Sequence, residues 1–183
     1  RMLAHYLARY DGGRYAKLLL EDDIHQINAD KIGISRRQVK TVTYAFLYGA
    51  GDEKIGHSYD QQLSTTAAKK KGKEIRAAYV DAVDGLDDLL KAIKQAAERG
   101  FIRSIDGRKV NVDSPHKALN YCLQSGAGVV AKRWMVINQE TMREAQICAA
   151  QLGFIHDELQ FECAPEHVGD LSTSLVYSAT AAG

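Results

Sequence analysis

The amino-acid sequence predicts an α+β protein that is mostly helical and places its strands in the second half of the chain. Apolar residues recur at helical spacing through much of residues 2–99, which indicates a series of amphipathic helices. Short β-like runs lie on both sides of Asp106-Gly107, a dipeptide typical of hairpin turns. A further β-like run extends from Phe154 to Cys163. Since helices come first and strands later, repeated βα units are not expected.

Glycines and capping residues divide the first half of the chain into helices. Gly12 and Gly13 end the first helix, and Gly85 separates the last two. Ser35 is the expected N-cap of a helix that stops at Gly49. The predicted elements are a helix over 2–10, a short helical or extended piece over 15–20, and helices over 27–32, 36–48, part of 52–65, 66–79 and 86–99.

The second half is predicted to mix helices with strands. Pro115 suits the first turn of a long helix, whereas Gly126 and Gly128 lower the helix propensity of its middle. The predicted elements are a hairpin of 101–105 with 109–112, the long helix over 115–145, the β-like segment over 154–163 and a last helix over 165–179.

Composition limits the class of protein. With 183 residues, of which 45% are hydrophobic, the chain can bury the core of one large domain or two small ones. A formal net charge of +1 means that any nucleic-acid-binding surface must arise from the pattern of charges. Cys122, Cys148 and Cys163 show no CxxC spacing, which argues against structural zinc and for a reducing compartment. No apolar run approaches about 18 residues, so we expect a soluble, intracellular protein.

Four side chains repeat every fourth residue in the helix over 36–48: Arg36, Lys40, Tyr44 and Tyr48. Such a series drifts by about 40° per step on an α-helix, so the four side chains form one slowly turning stripe. Cations at one end match the charge of a polyphosphate, and aromatic rings at the other end can stack on a sugar or a base. The stripe therefore fits a nucleotide. An ordinary amphipathic helix with solvated cations and half-buried tyrosines fits the same pattern.

An acidic pair interrupts the β-like segment over 154–163. In one straight strand, Asp157 would share a face with apolar residues, and burial of its unpaired carboxylate would be costly. A tight turn at His156-Asp157-Glu158 avoids this cost and presents both acids at the tip of a hairpin. Two adjacent carboxylates suit a hard divalent cation. An acidic turn without any ligand is the other interpretation.

His116, Asn120 and Gln124 also repeat every four residues, on the long helix predicted over 115–145. Neutral donors and acceptors at this interval can follow successive base edges in the minor groove, whose pattern depends little on sequence. Three polar residues on a solvated helix face are the alternative. The lysine cluster over 69–73 is likewise either a solvated helix face or a contact for the phosphate backbone.

The run Arg36-x3-Lys40-x3-Tyr44-x3-Tyr48-Gly49 resembles the nucleotide-binding helix of family A DNA polymerases, the family of bacterial DNA polymerase I. The continuation FLYGAGDEKIG is most similar to the replicative polymerases of short-tailed bacteriophages. Other segments resemble the family in the same order along the chain: Asp23-x-His25, the run from Asp106 that includes His116, Asn120 and Gln124, and His156-Asp157-Glu158.

The resemblance implies a role for each of these residues in template-directed addition of deoxynucleotides to a primer 3′-end with two magnesium ions. Lys40 would neutralise triphosphate charge and protonate the pyrophosphate leaving group, while Arg36 and His25 would position phosphates. Tyr44 would pack against the sugar and Tyr48 would lie near the templating base. The remaining implied roles are duplex contact for His116, Asn120 and Gln124, primer-end contact for His156, metal binding for Asp157 and an acidic supporting role for Glu158.

The resemblance further implies that the chain is the fingers and part of the palm of a right-hand polymerase. Residues 1–11 would be a palm helix, 12–105 the fingers, and 106–183 a palm that is incomplete at its C-terminus. Arg1 resembles the last residue of the family's first motif, Asp-x-Ser-x-x-Glu-Leu-Arg, so the second metal-anchoring aspartate is expected just before it. We therefore expect both chain ends to be cuts or limits of order, and the isolated chain to be inactive. The helix over 36–48 is expected to face the acidic hairpin across a cleft.

The implied partners are primer-template DNA, dNTP, the upstream part of the polymerase and a processivity factor, in the host-cell cytoplasm if a phage encodes the chain. No membrane is expected. A non-catalytic fragment that binds nucleotide or primer-template is the alternative from another functional class. An unrelated helical DNA-binding protein would explain the lysines over 69–73 but not the order of the motifs.

Overall fold

A computed structural model describes residues 1–156 and 158–183 of the chain. The described residues are mostly helical and form two small antiparallel sheets, which confirms the predicted α+β class. They divide into two compact units, residues 1–125 and residues 126–183. No helix in the described part of the chain is long and apolar enough to cross a lipid bilayer.

Seven α-helices lie wholly within residues 1–125, all of which the structure describes. The Asp23 side chain caps the third helix and accepts hydrogen bonds from the backbone N–H groups of His25 and Gln26. Because of this cap, the third helix begins at Ile24 and not at Ile27 as the periodicity predicted. The helices are α1 (Met2–Asp11), α2 (Arg14–Glu21), α3 (Ile24–Ile32), α4 (Arg36–Leu47), α5 (Asp52–Tyr59), α6 (Thr65–Ala82) and α7 (Leu86–Ala97).

The core of the first unit is built from the apolar faces of these helices. Leu7, Val42, Ile55, Tyr79 and Leu86 come from five different helices, and each is fully buried. Burial of one such side chain contributes roughly 1.5–3 kcal/mol. The core therefore determines which face of each helix points away from solvent, including that of α4.

The predicted hairpin follows α7. Strand β1 (Phe101–Arg103) pairs antiparallel with β2 (Lys109–Asn111). Gly107 in the connecting turn has a φ of 83°, a left-handed conformation that a side chain would strain. Ile102 is buried in the core of the first unit, so the hairpin packs one apolar side chain against the helices.

The long helix forms without interruption at its glycines. A 3-10 turn over Pro115–Lys117 leads into α8 (Ala118–Glu144). His116 therefore lies on the tighter turn, whereas Asn120 and Gln124 lie on the α-helix. This corrects the expectation that all three side chains repeat on one α-helix. A proline favours this arrangement because it begins a helical turn without an N–H group to satisfy.

In the second unit, two strands form a hairpin after α8. Strand β3 (Ala149–Ile155) pairs antiparallel with β4 (Glu158–Cys163), and Ile155 opposite Glu158 is the last pair before the chain reverses. The predicted hairpin is therefore confirmed. Its first strand starts at Ala149 and not at Phe154, because pairing with β4 overrides the low strand propensity of its alanines and of Gly153.

A buried polar cluster joins α8 to α9 (Val168–Ala182) within the second unit. The Asn138 side-chain oxygen accepts hydrogen bonds from the hydroxyls of Ser174 and Ser178 at 2.9 and 3.3 Å. The indole N–H of Trp134 donates to the Ser178 hydroxyl and to the carbonyl of Leu175. Because Asn138 and Ser178 are buried, these bonds determine how the two helices align.

Candidate functional site

The stripe of Arg36, Lys40, Tyr44 and Tyr48 lies on the solvent side of the first unit. All four residues are exposed, and Tyr44 and Tyr48 retain 48% and 64% of their accessible surface. The opposite face of α4 is buried through residues such as Val42. Since large aromatic side chains usually lose more surface on folding, two exposed tyrosines in line with two cations form a surface suited to a ligand.

Capping interactions define both ends of α4. The Ser35 hydroxyl accepts a hydrogen bond from the Gln38 backbone N–H at 3.3 Å, and the Gln38 side chain accepts one from the Ser35 N–H at 3.0 Å. The helix ends at Leu47, one residue before the predicted end, and Tyr48 forms its C-cap. Gly49 then turns the chain with a φ of 75°. Tyr48 therefore extends the stripe from the C-cap position of α4.

The start of α3 lies beside the stripe. The Asp23 carboxylate accepts a hydrogen bond from Arg36 Nε at 2.7 Å. The ring centroids of His25 and Tyr44 are 6.4 Å apart. The structure thus brings the Asp-x-His pair and the stripe together, although His25 and Arg36 lie 11 positions apart in the sequence.

Charges around this group shift two pKa values. Burial lowers the pKa of His25, and the nearby cations Arg36 and Lys40 lower it further, against an opposing effect of Asp23. The hydrogen bond from Arg36 is the main cause that lowers the pKa of Asp23. His25 is therefore mostly neutral at pH 7, while its surroundings carry two positive charges and one negative charge. Such a site attracts an anion.

The beginning of α8 contacts the end of α4. The Asn120 side-chain amide donates a hydrogen bond to the carbonyl oxygen of Leu47 at 3.3 Å. A Cβ atom on Gly49 would lie 3.5 Å from the carbonyl oxygen of His116. His116 and Gln124 are exposed. The polar residues predicted to contact a duplex are thus adjacent to the aromatic end of the stripe, a proximity that sequence periodicity does not reveal.

The lysine cluster over 69–73 is partly engaged in ion pairs. Lys69 lies 3.5 Å from the Glu53 carboxylate, and Lys71 lies 3.6 Å from that of Glu74. Lys70 and Lys73 have no ion-pair partner among the described residues. These two lysines, with Lys69, line an open pocket at the start of α5 that has a volume of about 540 Å³. Only part of the cluster is therefore available to a phosphate backbone.

The acidic turn belongs to the second unit. His156 has a φ of 57° and is exposed, as is Glu158. One oxygen of the Glu158 carboxylate accepts a hydrogen bond from the Gln160 side chain at 2.9 Å. The predicted metal ligand Asp157 lies outside the described residues. Among the residues that are described, no group of three potential ligands lies close enough to hold a metal ion.

Comparisons with known proteins identify several relatives. The model of DNA polymerase family A matches residues 13–180. A DNA-directed DNA polymerase of Enterobacteria phage T3 is 35% identical, and the match covers 92% of this chain and 26% of that protein. A DNA-directed DNA polymerase of Escherichia phage T7 is 34% identical, and the match covers 93% of this chain and 27% of that protein. The chain thus spans about a quarter of the length of these curated relatives.

A solved structure shares the fold. The POL domain of Pol1 from M. smegmatis, in complex with DNA primer-template and dNTP, superposes with a TM-score of 0.79 at 22% identity. The match covers 100% of this chain and 35% of that chain. Together with the sequence relatives, this agreement assigns the fold and the order of its elements.

Proposed function

Because the chain belongs to DNA polymerase family A, we propose that it forms the nucleotide-binding part of a template-directed DNA polymerase that extends a primer during phage DNA replication. The observation that carries the proposal is the exposed stripe of Arg36, Lys40, Tyr44 and Tyr48 on α4, with His25 beside it. Its order from cation to aromatic ring matches the order from triphosphate to base in a dNTP.

The cationic end of the stripe is proposed to bind the triphosphate. Arg36 and His25 position the phosphates, and Lys40 neutralises charge that develops on the leaving pyrophosphate. No carboxylate among the described residues forms an ion pair with Lys40, so its ammonium group is available to a ligand. Such a group stabilises a transition state more than a ground state when negative charge grows during the reaction. Lys40 can also donate a proton to the leaving group.

The aromatic end is proposed to form the sugar and base pocket. The Tyr44 ring packs against the deoxyribose, and Tyr48 lies near the templating base. Asn120, whose amide bonds to the end of α4, connects this pocket to a duplex-binding surface with His116 and Gln124. The exposed His156 contacts the primer end. These assignments follow the family pattern residue by residue.

Magnesium is the proposed cofactor. Asp157 would hold it, with Glu158 as an acidic neighbour, because carboxylate oxygens are the donors that Mg²⁺ prefers and the Glu158 side chain is exposed at the hairpin. When bound, two such ions would stabilise the attacking and leaving oxygens of the phosphoryl transfer. The second anchoring aspartate is proposed to come from the upstream part of the polymerase.

We further propose that residues 12–105 are fingers and that residues 1–11 and 106–183 belong to the palm. The proposed partners are primer-template DNA, dNTP and the upstream part of the polymerase. We also propose that the polymerase binds a processivity factor and that it is located in the host cytoplasm.

A charge-matched pair of variants on α4 tests the function. In the polymerase that carries this chain, Lys40→Ala is expected to lower the rate of nucleotide incorporation about 100-fold or more. Its affinity for primer-template should change by less than about threefold, because one cation contributes little to the whole duplex contact. Arg37→Ala removes the same charge from an exposed residue outside the stripe and should change neither quantity by more than about threefold.

Two results would contradict the assignment. Equal losses of incorporation and of DNA binding in Lys40→Ala would mean that Lys40 contacts DNA and not the triphosphate. If the unsubstituted polymerase binds primer-template and dNTP but shows no magnesium-dependent extension, the chain belongs to a non-catalytic binding protein.

A further inference from the structure

Two helix N-termini meet at a single carboxylate beside the stripe. Asp23 is the N-cap of α3, and Arg36 is the first residue of α4. One oxygen of the Asp23 carboxylate, Oδ1, accepts hydrogen bonds from the backbone N–H groups of His25 and Gln26 at 3.1 and 3.2 Å. The other, Oδ2, accepts one from Arg36 Nε at 2.7 Å. The same side chain therefore determines the position of His25 and the orientation of the Arg36 guanidinium.

The contact uses only one edge of the guanidinium. Arg36 Nε is bound to Asp23, while the terminal nitrogens Nη1 and Nη2 form no hydrogen bond with any described residue. These two nitrogens form the fork that binds phosphate oxygens in a bidentate way. An anchored Nε thus leaves the phosphate-binding edge free and limits the rotamers that the long side chain can adopt.

Asp23 also offsets unfavourable charge interactions at the N-terminus of α4. The N-terminus of a helix carries partial positive charge, so a cation such as Arg36 in the first turn is disfavoured there. Lys40, one turn further along the stripe, adds another positive charge. A carboxylate at 2.7 Å from Arg36 offsets this repulsion and keeps the guanidinium in place when no nucleotide is bound.

We propose that Asp23 is a positioning residue of the nucleotide site: by holding Arg36 Nε, it presents the free edge of the guanidinium to the phosphates of the incoming nucleotide. This inference rests on the proposed function, since it assumes that Arg36 binds phosphate. It assigns to Asp23 a role beyond capping, in which Asp23 acts through Arg36.

The substitution Asp23→Asn separates positioning from capping. Asparagine caps helices as well as aspartate does, because its amide oxygen accepts the same backbone N–H groups. That oxygen is then occupied, and the amide nitrogen that replaces Oδ2 cannot accept a hydrogen bond from Arg36. Asp22→Asn is the matched control: it removes the same charge one residue earlier, where no described residue bonds to the carboxylate.

Positioning and long-range electrostatics predict opposite signs for the effect on nucleotide binding. Loss of a negative charge near a triphosphate would by itself lower the KM for dNTP, and Asp22→Asn reports this effect alone. Loss of the Arg36 anchor should instead raise the KM. In primer extension by the polymerase that carries this chain, we expect Asp23→Asn to raise the KM for dNTP about tenfold and to change kcat by less than about threefold.

A double-mutant cycle shows whether Asp23 acts through Arg36. In an Arg36→Ala background, Asp23→Asn should no longer raise the KM, because the side chain that it positions is absent, and only the small electrostatic lowering that Asp22→Asn reports should remain. An unchanged or lower KM in Asp23→Asn, or an equal effect in both backgrounds, would overturn the inference while the polymerase still extends primers. Failure of the unsubstituted polymerase to incorporate dNTP would instead overturn the proposed function.

Discussion

The side-chain amide of Asn120 at the start of α8 donates a hydrogen bond to the main-chain carbonyl of Leu47 at the end of α4, at 3.3 Å. The carbonyls at the end of a helix have no partner within the helix, so Asn120 satisfies one of them from 73 residues further along the chain. The helix proposed to contact the duplex and the helix proposed to bind the nucleotide are thus directly bonded. Changes at one of them should affect the other.

Asn120→Ala should lower the free energy of unfolding of the chain by about 1 kcal/mol, since it leaves the Leu47 carbonyl without this donor. Gln124→Ala is the control, because Gln124 lies one turn further on the same helix, is exposed and makes no hydrogen bond with the described residues. Asparagine has a lower helix propensity than glutamine, so Asn120→Ala gains more propensity than Gln124→Ala and would be the more stable variant without the hydrogen bond. Urea denaturation provides the values. A variant Asn120→Ala that is more stable than Gln124→Ala would mean that the amide bond contributes nothing.

The crossing of α5 and α6 depends on Gly72, and Gly72→Ala should destabilise the chain by about 2 kcal/mol or more. A Cβ atom at this position would lie 1.7 Å from the carbonyl oxygen of Asp52, so the helix backbones would have to separate. Gly128→Ala in α8 is the matched control, because beyond its own helix backbone and chain neighbours its Cβ would have no described atom within 4 Å. It should stabilise the chain by about 0.5–1 kcal/mol through helix propensity. Thermal unfolding of both variants measures the effects, and stabilisation by both would contradict the close crossing.

His25 should titrate below its ordinary pKa in the folded chain. Burial and the charges of Arg36 and Lys40 lower this pKa, so the folded state binds fewer protons than the unfolded state between the folded pKa and about 6.5. The contribution of neutral His25 to stability is therefore fully present above pH 6.5 and is lost as the pH falls through the folded pKa. NMR titration of the imidazole gives the pKa directly, and His25→Gln should remove this part of the pH dependence.

Two variants test the cause of this shift. Lys40→Ala removes a nearby positive charge and should raise the pKa of His25. Lys54→Ala removes an exposed lysine of α5 and should leave the titration unchanged. A pKa of His25 that does not respond to Lys40→Ala would show that the two side chains are farther apart in solution. Added dNTP should raise the same pKa, because phosphate charge favours the imidazolium form.

Tyr44→Phe should increase discrimination against 2′,3′-dideoxynucleotides by about tenfold or more. The family resemblance associates a tyrosine hydroxyl at this position with weak rejection of a missing 3′-hydroxyl, and one hydrogen bond is equivalent to about a tenfold effect. The ratio of kcat/KM for dNTP and ddNTP in primer extension measures the change. Tyr48→Phe is the control, since Tyr48 is assigned to the templating base. Equal changes in both variants would place Tyr44 away from the sugar.

Local patterns in the sequence predicted most elements of this fold. Glycines and the cap at Ser35 mark helix ends whatever the tertiary packing, because they depend on backbone conformation and on hydrogen bonds within a few residues. The exposed stripe on α4 was predictable for the same reason, since residues four apart share a helix face. The early start of β3 was not, because its alanines become a strand only when β4 provides the partner.

The site was predictable only in its parts. Sequence motifs identified the stripe, the Asp-x-His pair and the polar residues after Pro115. No local sequence pattern predicts which of these groups are in contact. Burial of the apolar faces of α1, of α4 to α7 and of the start of α8 decides that, and it places Asp23 against Arg36 and Asn120 against Leu47. Periodicity thus determined which side chains face outward from each helix. Only packing decided which outward faces became neighbours, because that choice depends on how the helices together exclude water from one core.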